Sequence, residues 1–157
     1  MGFNRGFVVI VMMILSGIIA AFFLYEPQEI QGTITGRQLE SLLKYEYPKA
    51  YVIVLDEKYT LINTTEMQDI LKADKTNLLP YVNETFDCDD FAFTLWRNTR
   101  NEHGNLAVGV VRVNIDSTAG HVMNFYVDGN LSIHFIEPQT DEIDPNKHIT
   151  EYTWFLI

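Results

Sequence analysis

The chain has 157 residues, 47% of them hydrophobic and 20% charged, with 21 acidic against 11 basic side chains and a net charge of −10. That balance excludes nucleic acid and anionic membrane surfaces as partners, because both repel an acidic protein. The single cysteine excludes an internal disulfide, and the chain beyond its N-terminal apolar run is the length of one domain.

Residues 1–27 read as a signal-anchor transmembrane segment. From Gly6 to Tyr25 no position is charged, and as a helix this run measures about 30 Å, the thickness of a bilayer's hydrocarbon core. Ala20-Ala21 is followed by Phe22-Phe23-Leu24 instead of the small and polar residues that favour cleavage. Arg5 precedes the run and Glu26 and Glu29 follow it. The positive-inside bias therefore predicts a single-pass protein of the cell membrane with residues 28–157 extracytoplasmic. Sequons at Asn63, Asn83 and Asn130 are compatible with export.

Arg37 to Tyr47 predicts a helix, with Leu39, Leu42 and Leu43 on one face and Pro48 as its stop. Tyr51–Leu55 and Tyr59–Ile62 predict two strands around an Asp56-Glu57-Lys58 turn. Thr65 with Gln68 reads as a capping box for a second helix carrying Met67, Ile70 and Leu71, and Asp74 to Leu79 reads as loop. A third helix starts near Asp87 or Cys88, its stripe formed by Phe91, Ala92, Leu95 and Trp96. After Gly104 the pattern turns to strands, at Leu106–Val113, His121–Val127, Leu131–Ile136 and Tyr152–Ile157. Helices first and antiparallel strands afterwards predict an α+β domain.

Cys88 opens the third helix, and His121 and Glu137 follow it in the chain. A lone thiol, a histidine and a carboxylate in that order are the components of a papain-like cysteine hydrolase. A three-residue loop at Asp128-Gly129-Asn130 would pair Val127 with Leu131, Phe125 with Ile133, Met123 with Phe135 and His121 with Glu137. Side chains opposed in this way have Cβ atoms about 5 Å apart, within reach of an imidazole–carboxylate bond. Asn124 then falls on the opposite face.

In such a site His121 takes the thiol proton, Glu137 fixes its tautomer, and the Cys88 backbone N–H serves a developing oxyanion. A helix N-terminus lowers a thiol pKa, but Glu84, Asp87, Asp89 and Asp90 act in the opposite sense. Asp141, Glu142 and Asp144 lie near the other end of the site, and Ca²⁺ bridging the two clusters would relieve their repulsion. For Asp87 and Asp144, helix capping and a solvated surface are the preferred roles.

The blocks FDCDDFAF, GHVMNF and FIEPQTDEI, within residues 86–144, resemble the papain-like cysteine protease domain at the C-terminus of the Marasmius oreades agglutinin and its lectin-free relatives. The resemblance implies a papain-like cysteine protease core, with the cysteine helix packed on an antiparallel sheet and Cys88, His121 and Glu137 as the triad. It also implies calcium, with Asp89 and Asp90 as ligands and Gln139 and Asp141 completing the set. The glutamine that serves papain's oxyanion is not matched, its position being Val82. No sugar-binding trefoil accompanies the domain, so lectin activity and toxicity do not carry over.

The expectation is a membrane-anchored, extracytoplasmic, calcium-dependent cysteine peptidase acting on peptide or protein substrates. The alternatives are a cell-wall amidase or transglutaminase-type acyl-transfer enzyme on the same core, or a catalytically silent, calcium-stabilised surface module.

Overall fold

The computed structural model describes residues 32–115 and 119–157. β1 (Thr33–Thr35) leads into α1 (Gly36–Glu46), β2 (Tyr51–Ile53), β3 (Lys58–Thr60) and α2 (Thr64–Ala73). A 3₁₀ turn at Thr76–Leu78 precedes α3 (Cys88–His103). β4 (Val108–Asn114), β5 (Gly120–Val127), β6 (Ile133–Glu137), β7 (Glu142–Ile143) and β8 (Glu151–Leu156) complete the chain. β1 pairs with β3, and the other six strands form one sheet in the order β2-β8-β4-β5-β6-β7.

Local chemistry accounts for the helix starts. Thr35 and Gln38 make a reciprocal capping box at α1, as Asn63 and Glu66 do at α2, two residues upstream of the predicted cap. Asp87 caps α3, and Asp90 returns the bond. α3 ends at Gly104, whose φ of +75° suits a residue without a Cβ.

The sheet is covered on both faces, which explains the nearly unbroken apolar run of β4. Leu39 and Leu43 of α1 pack in one core with Val111, Val113, Met123, Phe125 and Phe155. On the other face Ala92 of α3 packs with Val110 and Val122, while Met67 and Leu71 of α2 and Leu95 of α3 pack with Val108, Tyr126 and Ile136.

Three expectations change here. The α+β papain-like core with an antiparallel sheet is replaced by a β-rich fold: a mixed sheet with few helices, in which β2 runs parallel to β8. The expected hairpin around Asp56-Glu57-Lys58 is absent, because β2 and β3 lie in different sheets. The Tyr59 hydroxyl instead spans the junction, accepting from the Asp56 N–H at 2.8 Å and donating to the Ile157 carbonyl at 2.9 Å. Finally, no helix among the described residues is long and apolar enough to cross a membrane. The expected single-pass membrane placement therefore finds no spanning helix among the described residues. The run from Gly6 to Tyr25, and with it the boundary at residue 27, lies outside the described residues.

Candidate functional site

His121 and Glu137 meet, with Nε2 of the imidazole 2.8 Å from Oε2 of the carboxylate. The register that joins them is not the predicted one. Val127 pairs with Ile133, Phe125 with Phe135 and Asn124 with Ile136, two residues beyond the expected pairing. The loop is longer because Asp128 Oδ1 accepts from the Asn130 and Ser132 N–H groups, and Leu131 takes a positive φ of 65°. A shift of two preserves the face, so the contact is a diagonal one. The sequence reasoning missed Lys147, whose ammonium bonds both Glu137 Oε2 and, at 3.1 Å, His121 Nε2. Burial raises the Glu137 carboxyl, but its bonds to His121 and Lys147 outweigh burial and hold it below the ordinary carboxylate range.

Cys88 stands on the other side of the sheet. It is half-buried at the start of α3, against Ala92, Val110 and Val122, with the Val122 backbone at its sulfur. Alternation along β5 sends Val122 and Asn124 toward α3, and His121 and Met123 toward α1. Asn124 donates to the carbonyls of Ala92, at 2.9 Å, and Gly109, at 3.1 Å. The structure thus brings together His121, Glu137 and Lys147, while no hydrogen bond among the described residues joins Cys88 to His121. Burial pushes the Cys88 thiol up, and Asp87 and Asp89 push it further. The helix N-terminus does not overcome these effects.

Among the described residues, the one group of three or more ligand-bearing side chains with atoms within 4.8 Å of one another is Asp87, Cys88 and Asp89. Asp87 and Asp89 share a hydrogen bond that lowers the first carboxyl and raises the second. Asp90 is occupied at the cap, accepting from the Asp87 N–H. Asp141 accepts from Asn77 at 2.6 Å, and its carboxyl is raised by burial and by Asp74. Gln139 is tied through its N–H to Glu137 at 3.4 Å. Asp144 is exposed, as expected of a surface residue, and also binds the Phe135 N–H and His134.

The description "Agglutinin C-terminal" belongs to the family model that matches residues 59–143. Among solved structures, the PSL1a-E64 complex aligns with a TM-score of 0.66 and 23% identity, over 80% of this chain and 51% of that one. Polyporus squamosus lectin, solved bound to the human-type influenza-binding epitope Neu5Aca2-6Galb1-4GlcNAc, aligns with a TM-score of 0.64 and 22% identity, over 80% and 49%. The chain therefore spans about half the length of these neighbours. No curated protein matches it.

These findings correct the expected activity. The chain shares the fold of about half of each of these structures, and strand alternation turns His121 to the face opposite the one on which Cys88 packs. The cysteine peptidase acting on peptide substrates gives way to the alternative of a catalytically silent surface module. With more than half its length matched by that model, the chain belongs to the Agglutinin C-terminal family.

Proposed function

We propose that the protein is a non-catalytic binding module of lectin type, with carbohydrate as its ligand class and calcium as a stabilising ion. The observation that carries the non-catalytic reading is the division of the candidate residues between two faces of one sheet. Cys88 packs with Val122 toward α3, whereas His121 closes a bonded set with Glu137 and Lys147. A nucleophile and its base must lie within hydrogen-bond reach, and these do not bond. The Polyporus squamosus lectin, about half of which shares this chain's fold, was solved with a glycan epitope, which supports the ligand class.

The ion is assigned to Asp87 and Asp89, whose adjacent carboxylates repel when both are charged. Ca²⁺ takes six to eight oxygen ligands, so two carboxylates with water and backbone carbonyls suit it, while the thiol between them does not. When bound, the ion supplies positive charge at the start of α3. Asp87 holds the helix cap, and Asp89 completes the pair.

Screening the full chain on a glycan array, alongside a peptide-library digest, tests the reading. The parent and Cys88→Ala should bind the same glycans, and neither should cleave peptides. Peptide turnover that Cys88→Ala abolishes would overturn it.

A further inference from the structure

β6, the β5–β6 loop and the end of β7 meet at the imidazole of His134. This residue lies directly opposite Tyr126 of β5, and the two rings stack with centroids 4.8 Å apart and planes within 19°. Tyr126 is itself buried, and its hydroxyl shares a 2.9 Å hydrogen bond with that of Thr64 at the start of α2. Nδ1 of the imidazole stands 2.7 Å from Oδ2 of Asp144, and Nε2 stands 3.4 Å from Oδ2 of Asp128. The charged and titratable groups that face the ring are therefore two carboxylates and the stacked phenol. Among the described residues, neither carboxylate has another ion-pair partner.

Protonation decides how many of these contacts the ring can make. A neutral imidazole has one N–H and one lone pair, so one carboxylate must face the lone pair, whereas the cation donates to both. Burial lowers the His134 pKa, but the bonds to Asp144 and Asp128 outweigh it and hold the ring above the ordinary histidine value. The two arms differ. Asp128 is 3% exposed and its Oδ1 is held by the Asn130 and Ser132 N–H groups, whereas the Asp144 side chain is 51% exposed. Setting a buried carboxylate against a lone pair costs more than returning an exposed one to water. Deprotonation therefore leaves the remaining proton on Nε2, with Asp128, and releases Asp144.

Asp144 closes the end of β7. Its Oδ1 accepts from the Phe135 N–H at 2.9 Å, and its own N–H donates to the Phe135 carbonyl at 2.7 Å. Its φ of +51° is a left-handed conformation that needs such bonds to hold it. Beyond them, β7 is joined to β6 by two residue pairs, Ile136 with Ile143 and Glu137 with Glu142.

We propose that His134 is a pH-operated clasp on this edge of the sheet. As the imidazolium it locks Asp144, and with it β7, against β6; as the neutral ring it lets the edge open. Because the folded value is raised, the contribution of the clasp is fully present below the unfolded value of about 6.5 and is lost as pH rises through the folded one. Opening bares the outer backbone groups of β6, which β7 otherwise covers. The clasp depends on neither the ligand nor the ion proposed above.

NMR of the full chain tests it. Titration of the His134 ring gives its midpoint, and the protection factor of the amide at position 144, measured below and above that midpoint, reports the state of β7. We expect a midpoint above about 6.5, with protection at least about tenfold lower above it than below it, the equivalent of one hydrogen bond to a charged group. Asp144→Asn should lower the midpoint and remove the step in protection. His134→Gln, which has no titrating ring, should remove the step too, and thermal melts establish that each variant is folded. A parent midpoint at or below about 6.5, or protection that stays constant across it, would overturn the clasp whatever the variants do. A step that persists in folded His134→Gln would assign the opening to another group and overturn it as well.

Discussion

Glu137→Gln isolates the ionic set on the α1 face. Glu137 is 4% exposed and bonds Lys147, His121 at 2.8 Å and the Gln139 N–H at 3.4 Å. The glutamine keeps the shape and removes the charge. Breaking one partner of a fully buried pair costs about 3–5 kcal/mol. Lys147 is 31% exposed and can recover water, and the amide oxygen still accepts one bond, so the loss falls to about 2 kcal/mol. For a domain of this size that is a Tm lower by about 6–10 °C. The pH dependence gives the sharper test. The Glu137 carboxyl is depressed in the folded state, so its contribution is present above the unfolded value of about 4.3 and is lost as pH falls through the folded one. Urea unfolding followed by circular dichroism should give the full difference between parent and variant at neutral pH, narrowing as acid protonates Glu137. A difference that does not change with pH, or none at neutral pH, would refute the ionic set as a stabilising element.

The Cys88 thiol, raised by burial and by its acidic neighbours, should be alkylated with a pH midpoint above about 8.5, unchanged in His121→Ala; a midpoint near neutrality that His121→Ala moves would contradict the separation of the two residues. Calcium at a hundredfold excess over Kd should stabilise the domain by about 2.7 kcal/mol and so raise its Tm over that in EGTA, and Asp89→Asn should abolish the difference; equal melts in the parent would remove the ion from the account. Gly109→Ala should destabilise by about 1–3 kcal/mol in chemical denaturation, because its Cβ would stand 2.4 Å from the Leu156 carbonyl and 2.6 Å from Phe125; an unchanged midpoint would show that β4 and β8 can separate locally.

Most elements were legible because their periodicity is local. α1 occupies Gly36–Glu46 against a prediction of Arg37 to Tyr47, and α3 starts at Cys88 with Asp87 as its cap. Phe91, Ala92 and Leu95 are its buried stripe, with Thr99 as the next turn. Pairing between distant segments was not legible. Tyr51–Leu55 and Tyr59–Ile62 look like a hairpin to any reading of neighbours, yet β2 finds its partner at the C-terminal β8, and β3 finds β1. The side-chain bonds of Asp128 lengthen the β5–β6 loop, and a loop of that kind carries no hydrophobic pattern to announce it.

The site illustrates why a correct contact can support a wrong activity. His121 and Glu137 touch because both strands keep the same face through a two-residue shift, so their meeting says nothing about the correctness of the register. Strand parity does say that Asn124 faces away from His121, but it does not say which of the two faces α3 covers. Both faces of β5 are apolar, Met123 and Phe125 on one and Val122 and Tyr126 on the other, so burial alone leaves the choice open. The deciding residue is Asn124. A buried amide NH2 needs acceptors; β4 supplies the Gly109 carbonyl, and the Ala92 carbonyl is within reach only if α3 lies on the Asn124 face. That placement carries Cys88 to the face opposite His121, whose Nε2 is held by Glu137 and Lys147.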